Sequence, residues 1–240
     1  MNWQNVATIA RKDITIMMTR RSLRIALVVL PLGLAVLFSQ IIARSNIPAD
    51  QLPKTLNAFL FFFMIYTGAL PANLASYSMV GEKVERSLEP LLATPASDGE
   101  ILLGKALAAL VPPLVVMWAG MVTLMALCDA FTRATLGYLY FPNWLAAVTV
   151  FGLAPLLGIM AVSFSVLMSA RVSEVRTAQQ LGALTAIPGV VLYIGLLSGA
   201  FSLDLASLAV MCGAFAAVDA GLLVGARATF HREEILTRWA

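Results

Sequence analysis

Six long apolar stretches, nearly free of charge, alternate with short charged clusters along this 240-residue chain. Each stretch is long enough to cross a hydrocarbon layer, which takes about 20 apolar residues in a helix. They run from about Ile25 to Ile42, Leu56 to Val80, Ile101 to Cys128, Trp144 to Ala170, Thr177 to Ser198, and Leu205 to Ala226. A soluble helix keeps a polar face, and whole spans here have none. Only 12% of the residues are charged, about half of what a soluble domain carries. The fold class expected is therefore all-α, a polytopic membrane protein with six transmembrane helices forming a single transmembrane domain over 1–240.

Residues 1–22 read as an amphipathic helix. Trp3, Val6, Ala7, Ala10, Ile14 and Met17 share one face, and Gln4, Thr8, Lys12, Thr15 and Thr19 the other. Such a helix lies at the membrane interface with its apolar face in the acyl boundary, or packs on the rest of the protein. The first 24 residues lack the compact apolar core and small-residue site of a cleaved signal peptide.

The basic residues sort onto two sides of six spans. Thirteen of the 16 Lys and Arg fall in the N-terminal segment, in the second and fourth connectors with the adjoining Lys105, and in the tail from 227 to 240. The other three are Arg44, Lys54 and Arg133. The positive-inside rule then puts both termini in the cytoplasm of a cell whose plasma membrane holds the chain. The net charge of +3 is explained by this orientation and gives no sign of a nucleic-acid partner. Cys128 and Cys212 sit in or at the end of apolar spans and read as buried thiols.

The segment Gly81 to Glu100 is the most informative. Val84, Leu88, Leu91 and Leu92 recur at helical spacing, with Glu82, Glu85, Arg86 and Glu89 on the other sides. Glu82 and Arg86 can pair across one turn. Pro90 interrupts this helix and Thr94-Pro95 ends it. Ser97 and Glu100 form a capping-box pattern ahead of the third span. A short amphipathic helix between two spans either rests on the membrane surface or presents a charged face to a cytoplasmic partner.

These residues resemble the ABC-2 type transporter permeases, the membrane subunits of a large class of ABC exporters. The resemblance lies in Glu82-Lys83, Leu88-Glu89, Leu91-Leu92-Ala93-Thr94-Pro95 and Ile101-Leu102-Leu103-Gly104-Lys105. Ser87 stands where Thr is common, and Arg86 where many members have Gly. The run from Ile9 to Arg21, with Lys12-Asp13 before an Arg-rich end, is similar to the family's connecting helix, and Ala228 to Trp239 to its C-terminus. The resemblance implies a coupling helix that docks into a groove of a separate ATPase subunit. It would do so through Glu82, Lys83, Glu85, Arg86, Ser87, Leu88, Glu89, Leu91 and Leu92. It also implies a second permease copy or a homologous chain, first and fifth spans near the dimer axis, and ATP and Mg bound by the ATPase. No cofactor is then expected in this chain. Haem-exporter B-type permeases share the six-span plan and remain an alternative, as does a stand-alone secondary transporter.

The chain carries no catalytic set of its own. Gly99 to Ala106 nearly matches a P-loop, but Ala106 replaces the hydroxyl that holds Mg²⁺, and the stretch opens a membrane helix. His231 is the sole histidine and sits among charged tail residues, so no metal cluster or Ser-His-Asp set can be assembled around it. Asp219 is a carboxylate within the sixth span and is a candidate functional residue. Tyr66, Asn73 and Tyr77 share a face of the second span, with Ser76 nearby, and Gln179 and Gln180 open the fifth. These either line a translocation path or hydrogen-bond neighbouring helices.

Overall fold

The computed structural model describes residues 1–81, 96–169, 172 and 174–229. Among them every regular element is helical. Helix α1 covers Trp3–Thr19, and Asn2 caps it by accepting the Gln4 N–H at 3.0 Å. Arg20 is a single extended residue, and α2 (Arg21–Arg44) follows. Helix α3 spans Leu52–Ser76 and continues into a π-helical turn, Tyr77–Gly81. Helix α4 runs for 39 residues, Asp98–Leu136. Three more follow: α5 (Trp144–Ser169), α6 (Val175–Leu197) and α7 (Leu205–Thr229). Helices α2 to α7 contain the six stretches long and apolar enough to cross a membrane.

Prolines shape these helices without ending them. Pro155 has no N–H for the carbonyl of Phe151, and the π turn Thr149–Leu153 occupies that position in α5. Pro188 leaves the carbonyl of Leu184 without its donor, and α6 tightens there into a 3₁₀ turn, Leu184–Ala186. Helix α4 passes the Asp129 and Arg133 positions and stops at Gly137. That residue has φ +78° and donates its N–H to the Arg133 carbonyl at 2.9 Å. The carboxylate of Asp129 then accepts the N–H groups of Tyr140 and Phe141, at 3.0 and 3.1 Å, and folds the connector back over the end of α4.

Helix α3 is the axle of the bundle. It packs against α4, α5 and α6, while α4 also holds α1 and α2, and α5 holds α7. In its most apolar window α3 is 61% buried, against 11% for α7. Phe61, Phe63 and Met64 of α3 meet Met117 and Met121 of α4 and Leu157 of α5 in the core. Aromatic rings of α2 and α6 both meet Phe62 edge-on: Phe38 lies 5.0 Å from it and Tyr193 5.3 Å. One end of the bundle, the base, carries α1, the last turns of α3, α5 and α7, and the start of α4. The far end carries the connectors after α2, α4 and α6.

Candidate functional site

Asp13 and Lys105 are the most deeply buried ions at the base. The buried stripe of α1 is Val6, Ile9, Asp13 and Met17, a helical repeat with a carboxylate in it. Trp3 and Ala7, on the apolar face expected from periodicity, are exposed, because α1 is rotated to set Ile9 and Asp13 on α4. Asp13 is 3% exposed and Lys105 1%. Their Oδ2 and Nζ are 3.1 Å apart. Ser78, in the π turn that ends α3, donates its hydroxyl to Asp13 Oδ2 at 2.8 Å. The ammonium also donates to the Ser78 hydroxyl and carbonyl, at 3.4 and 3.5 Å. Two charges taken out of water are tolerated only when each is paired and hydrogen-bonded. This trio therefore locks α1, α3 and α4 together.

A second lock sits one turn nearer the start of α4. Ser97 and Glu100 form the expected capping box: the Ser97 hydroxyl accepts the Glu100 N–H, and Glu100 Oε2 accepts the Ser97 N–H at 3.1 Å. Glu100 reaches further. Its Oε1 accepts the Asn2 N–H at 2.6 Å and its Oε2 the Asn5 side-chain amide at 3.0 Å. Between the two locks, a Cβ at Gly104 would lie 2.8 Å from Ile9 and 3.1 Å from the Val6 carbonyl. Glycine is thus required where the α1 backbone rests on α4. The same contact covers the P-loop-like stretch Gly99 to Ala106, which is plain helix.

The chain leaves the described residues at Gly81, three positions after Ser78, and re-enters at Ala96, one position before Ser97. Both ends of the intervening segment are therefore fastened to α1. The docking residues expected from sequence, Glu82, Lys83, Glu85, Arg86, Ser87, Leu88, Glu89, Leu91 and Leu92, lie outside the described residues.

The candidate path residues fall in separate surroundings. Half-buried Tyr66 packs its ring 5.7 Å from Phe62. The Asn73 amide donates to the Ala69 carbonyl of its own helix at 2.9 Å. The Arg20 guanidinium lies over the Tyr77 ring, 4.4 Å from its centroid, at the junction of α1 and α2. Gln179 is half-buried and Gln180 exposed. Ser76 is buried and donates to the Ala178 carbonyl at 3.0 Å, tying α3 to the start of α6. Asp219 is buried on α7, which packs on α5, and among the described residues neither carboxylate oxygen has a hydrogen-bond partner. At the far end, a cavity of about 680 Å³ lies between the start of α3 and the end of α6, with Lys54, Asn57 and Tyr193 among its walls.

A profile described as ABC-2 family transporter protein matches residues 7–211. The chain belongs to the ABC-2 transporter family. It is thus a multi-pass membrane permease, the first of the readings its sequence left open. No curated protein matches it. The ABC-2 match takes in Asp13, Ser78, Glu100 and Lys105, so the first lock lies within family-matched sequence, whereas Asn2 and Asn5 of the second precede it. Asp219 falls after it. Sequence reasoning did not find the locks. The available signal was a charge in each of two apolar repeats: Asp13 in the α1 stripe, and Lys105 a turn inside the third span.

Proposed function

We propose that this ABC-2 permease is the membrane-spanning half of an exporter powered by a separate ABC ATPase that docks on Glu82 to Leu92. The observation that carries this reading is the double anchorage of that segment. One end is held by the buried Asp13–Ser78–Lys105 trio and the other by Glu100 with Asn2 and Asn5. A push on the segment is then delivered to α1, α3 and α4 together. ATP and Mg belong to the partner in this reading, and the permease itself performs no chemistry. Two copies, or one copy with a homologous chain, form the path, with α2 and α6 near the dimer axis. Both helices leave apolar faces open, Val29 and Leu37 on α2 and Val191 and Ile194 on α6, which a partner chain or lipid must cover. The base faces the cytoplasm of a cell enclosed by the plasma membrane that holds the transporter. Substrate passes along α3 and α6, where Tyr66, Asn73, Tyr77, Gln179 and Gln180 lie.

The test is co-purification of the tagged permease with its ATPase. Arg86→Glu with Glu89→Lys reverses the charges of the docking face and is expected to abolish both assembly and permease-stimulated ATP hydrolysis. Intact assembly with intact stimulation would refute docking through this segment.

A further inference from the structure

A second cavity opens at the base, of about 450 Å³, between the first turns of α4 and the last turns of α5 and α7. Leu102 and Leu103 of α4, Val162 and Val166 of α5, and Leu223 of α7 give it apolar walls. Asp98, the first residue of α4, stands at its rim.

Asp219 lies on the same face of α7, one turn beyond the residues that line the cavity. It precedes Leu223 by four residues and Ala226 by seven, and both of those line the cavity. At 1.5 Å per residue this puts it about 6 Å deeper than Leu223. Cys212 lies beside Gly152 and Gly225 beside Leu167, so Asp219 faces the middle of α5 between those two levels. It is 4% exposed, and among the described residues nothing hydrogen-bonds either oxygen. A carboxylate at this depth is held by a proton or by a cation. An inorganic cation would need several oxygen ligands, whereas beyond Met1, Asp98 and Gly99, where α4 begins, the Ser163 hydroxyl is the one polar side-chain group on these walls. A hydrophobic organic cation satisfies both requirements: its body fills the apolar walls and its charge neutralises Asp219. The volume falls within the range of about 300–1,000 Å³ usual for small-molecule sites.

We propose that this cavity binds a hydrophobic organic monocation with its charged centre directed to Asp219. The site requires no ATPase, so it stands or falls separately from the docking reading. The purified full-length chain in phosphatidylcholine nanodiscs is titrated with tetraphenylphosphonium, and with tetraphenylborate as a probe of the same shape and opposite charge. Wild type is expected to bind the phosphonium saturably and in preference to the borate, beyond what empty nanodiscs take up. Asp219→Asn should weaken the phosphonium by about tenfold and remove the preference, while Asp219→Glu keeps it within about threefold. Ala106→Phe, which fills the cavity, should weaken both probes. The ratio of the two probes within one variant is independent of how much of that variant is folded. Phosphonium binding unchanged in Asp219→Asn, Asp219-dependent binding that survives Ala106→Phe, or no saturable binding would each overturn the site and leave Asp219 as a carboxyl held by a proton.

Discussion

Removing Lys105 strands Asp13: among the described residues its Oδ1 already lacks a hydrogen bond and its Oδ2 would keep only the Ser78 hydroxyl. Lys105→Met should therefore cost about 3–5 kcal/mol, because it leaves an uncompensated buried carboxylate, and Asp13→Leu should also destabilise by breaking the pair. Replacing both together should cost much less than the sum, since no charge remains to be desolvated. Heating the detergent-solubilised variants and following the surviving monodisperse fraction checks this, and additive losses would sink it. Glu100→Gln probes the second lock. It weakens the charge-assisted bonds to Asn2 and Asn5, so α1 should become susceptible to limited proteolysis while the rest of the bundle stays resistant. The capping box was legible in the sequence because Ser97 and Glu100 are three residues apart. The other bonds of Glu100 were not, because Asn2 and Asn5 lie 98 and 95 residues away in the chain. The same holds for Asp13 and Lys105, separated by 92. Local patterns announce themselves; long-range pairs show only as charges in the wrong place.

At the scale of helices, α3 and α6 meet backbone to backbone. A Cβ at Gly68 would sit 2.5 Å from the Thr185 carbonyl oxygen, and one at Gly189 would sit 2.9 Å from the Ile65 backbone. The Thr185 hydroxyl donates to the Gly68 carbonyl at 2.9 Å across this seam. Small residues at a membrane-helix interface permit such an approach, and dispersion contacts and hydrogen bonds then hold it. Gly189→Val should force the helices apart at a cost of at least about 1–3 kcal/mol, whereas Gly33→Ala on α2, with open space around it, should be tolerated. The yield of folded protein after detergent extraction separates the two, and equal yields would show that the seam carries no such constraint. The six spans themselves were readable from their near-absence of charge. The length of α4 was not, because Asp129 and Arg133 suggest a connector while only Gly137 supplies the backbone conformation that stops the helix. Charge marks where hydrocarbon ends; a left-handed glycine marks where the helix ends.

For the whole molecule, the decisive quantity is which end of the bundle faces ATP. Counted along the sequence, thirteen of the chain's 16 basic residues belong to the segments on the α1 side of the six spans, and the other three are Arg44, Lys54 and Arg133. Because positively charged connectors are retained on the cytoplasmic side during insertion, the base should be cytoplasmic. Cysteine labelling in intact cells tests it. Cys128 is buried and Cys212 half-buried, and both are first replaced by Ala. A cysteine at the exposed position Tyr138 should then react with a membrane-impermeant maleimide. One at the exposed position Gln4 should react only after the membrane is opened. The reverse pattern would do more than invert a drawing. It would put Glu82 to Leu92 on the side without ATP, and an ATPase could no longer reach the segment that both locks hold. The orientation and the docking reading therefore share one test, while the cation site at Asp219, which needs neither, survives either result.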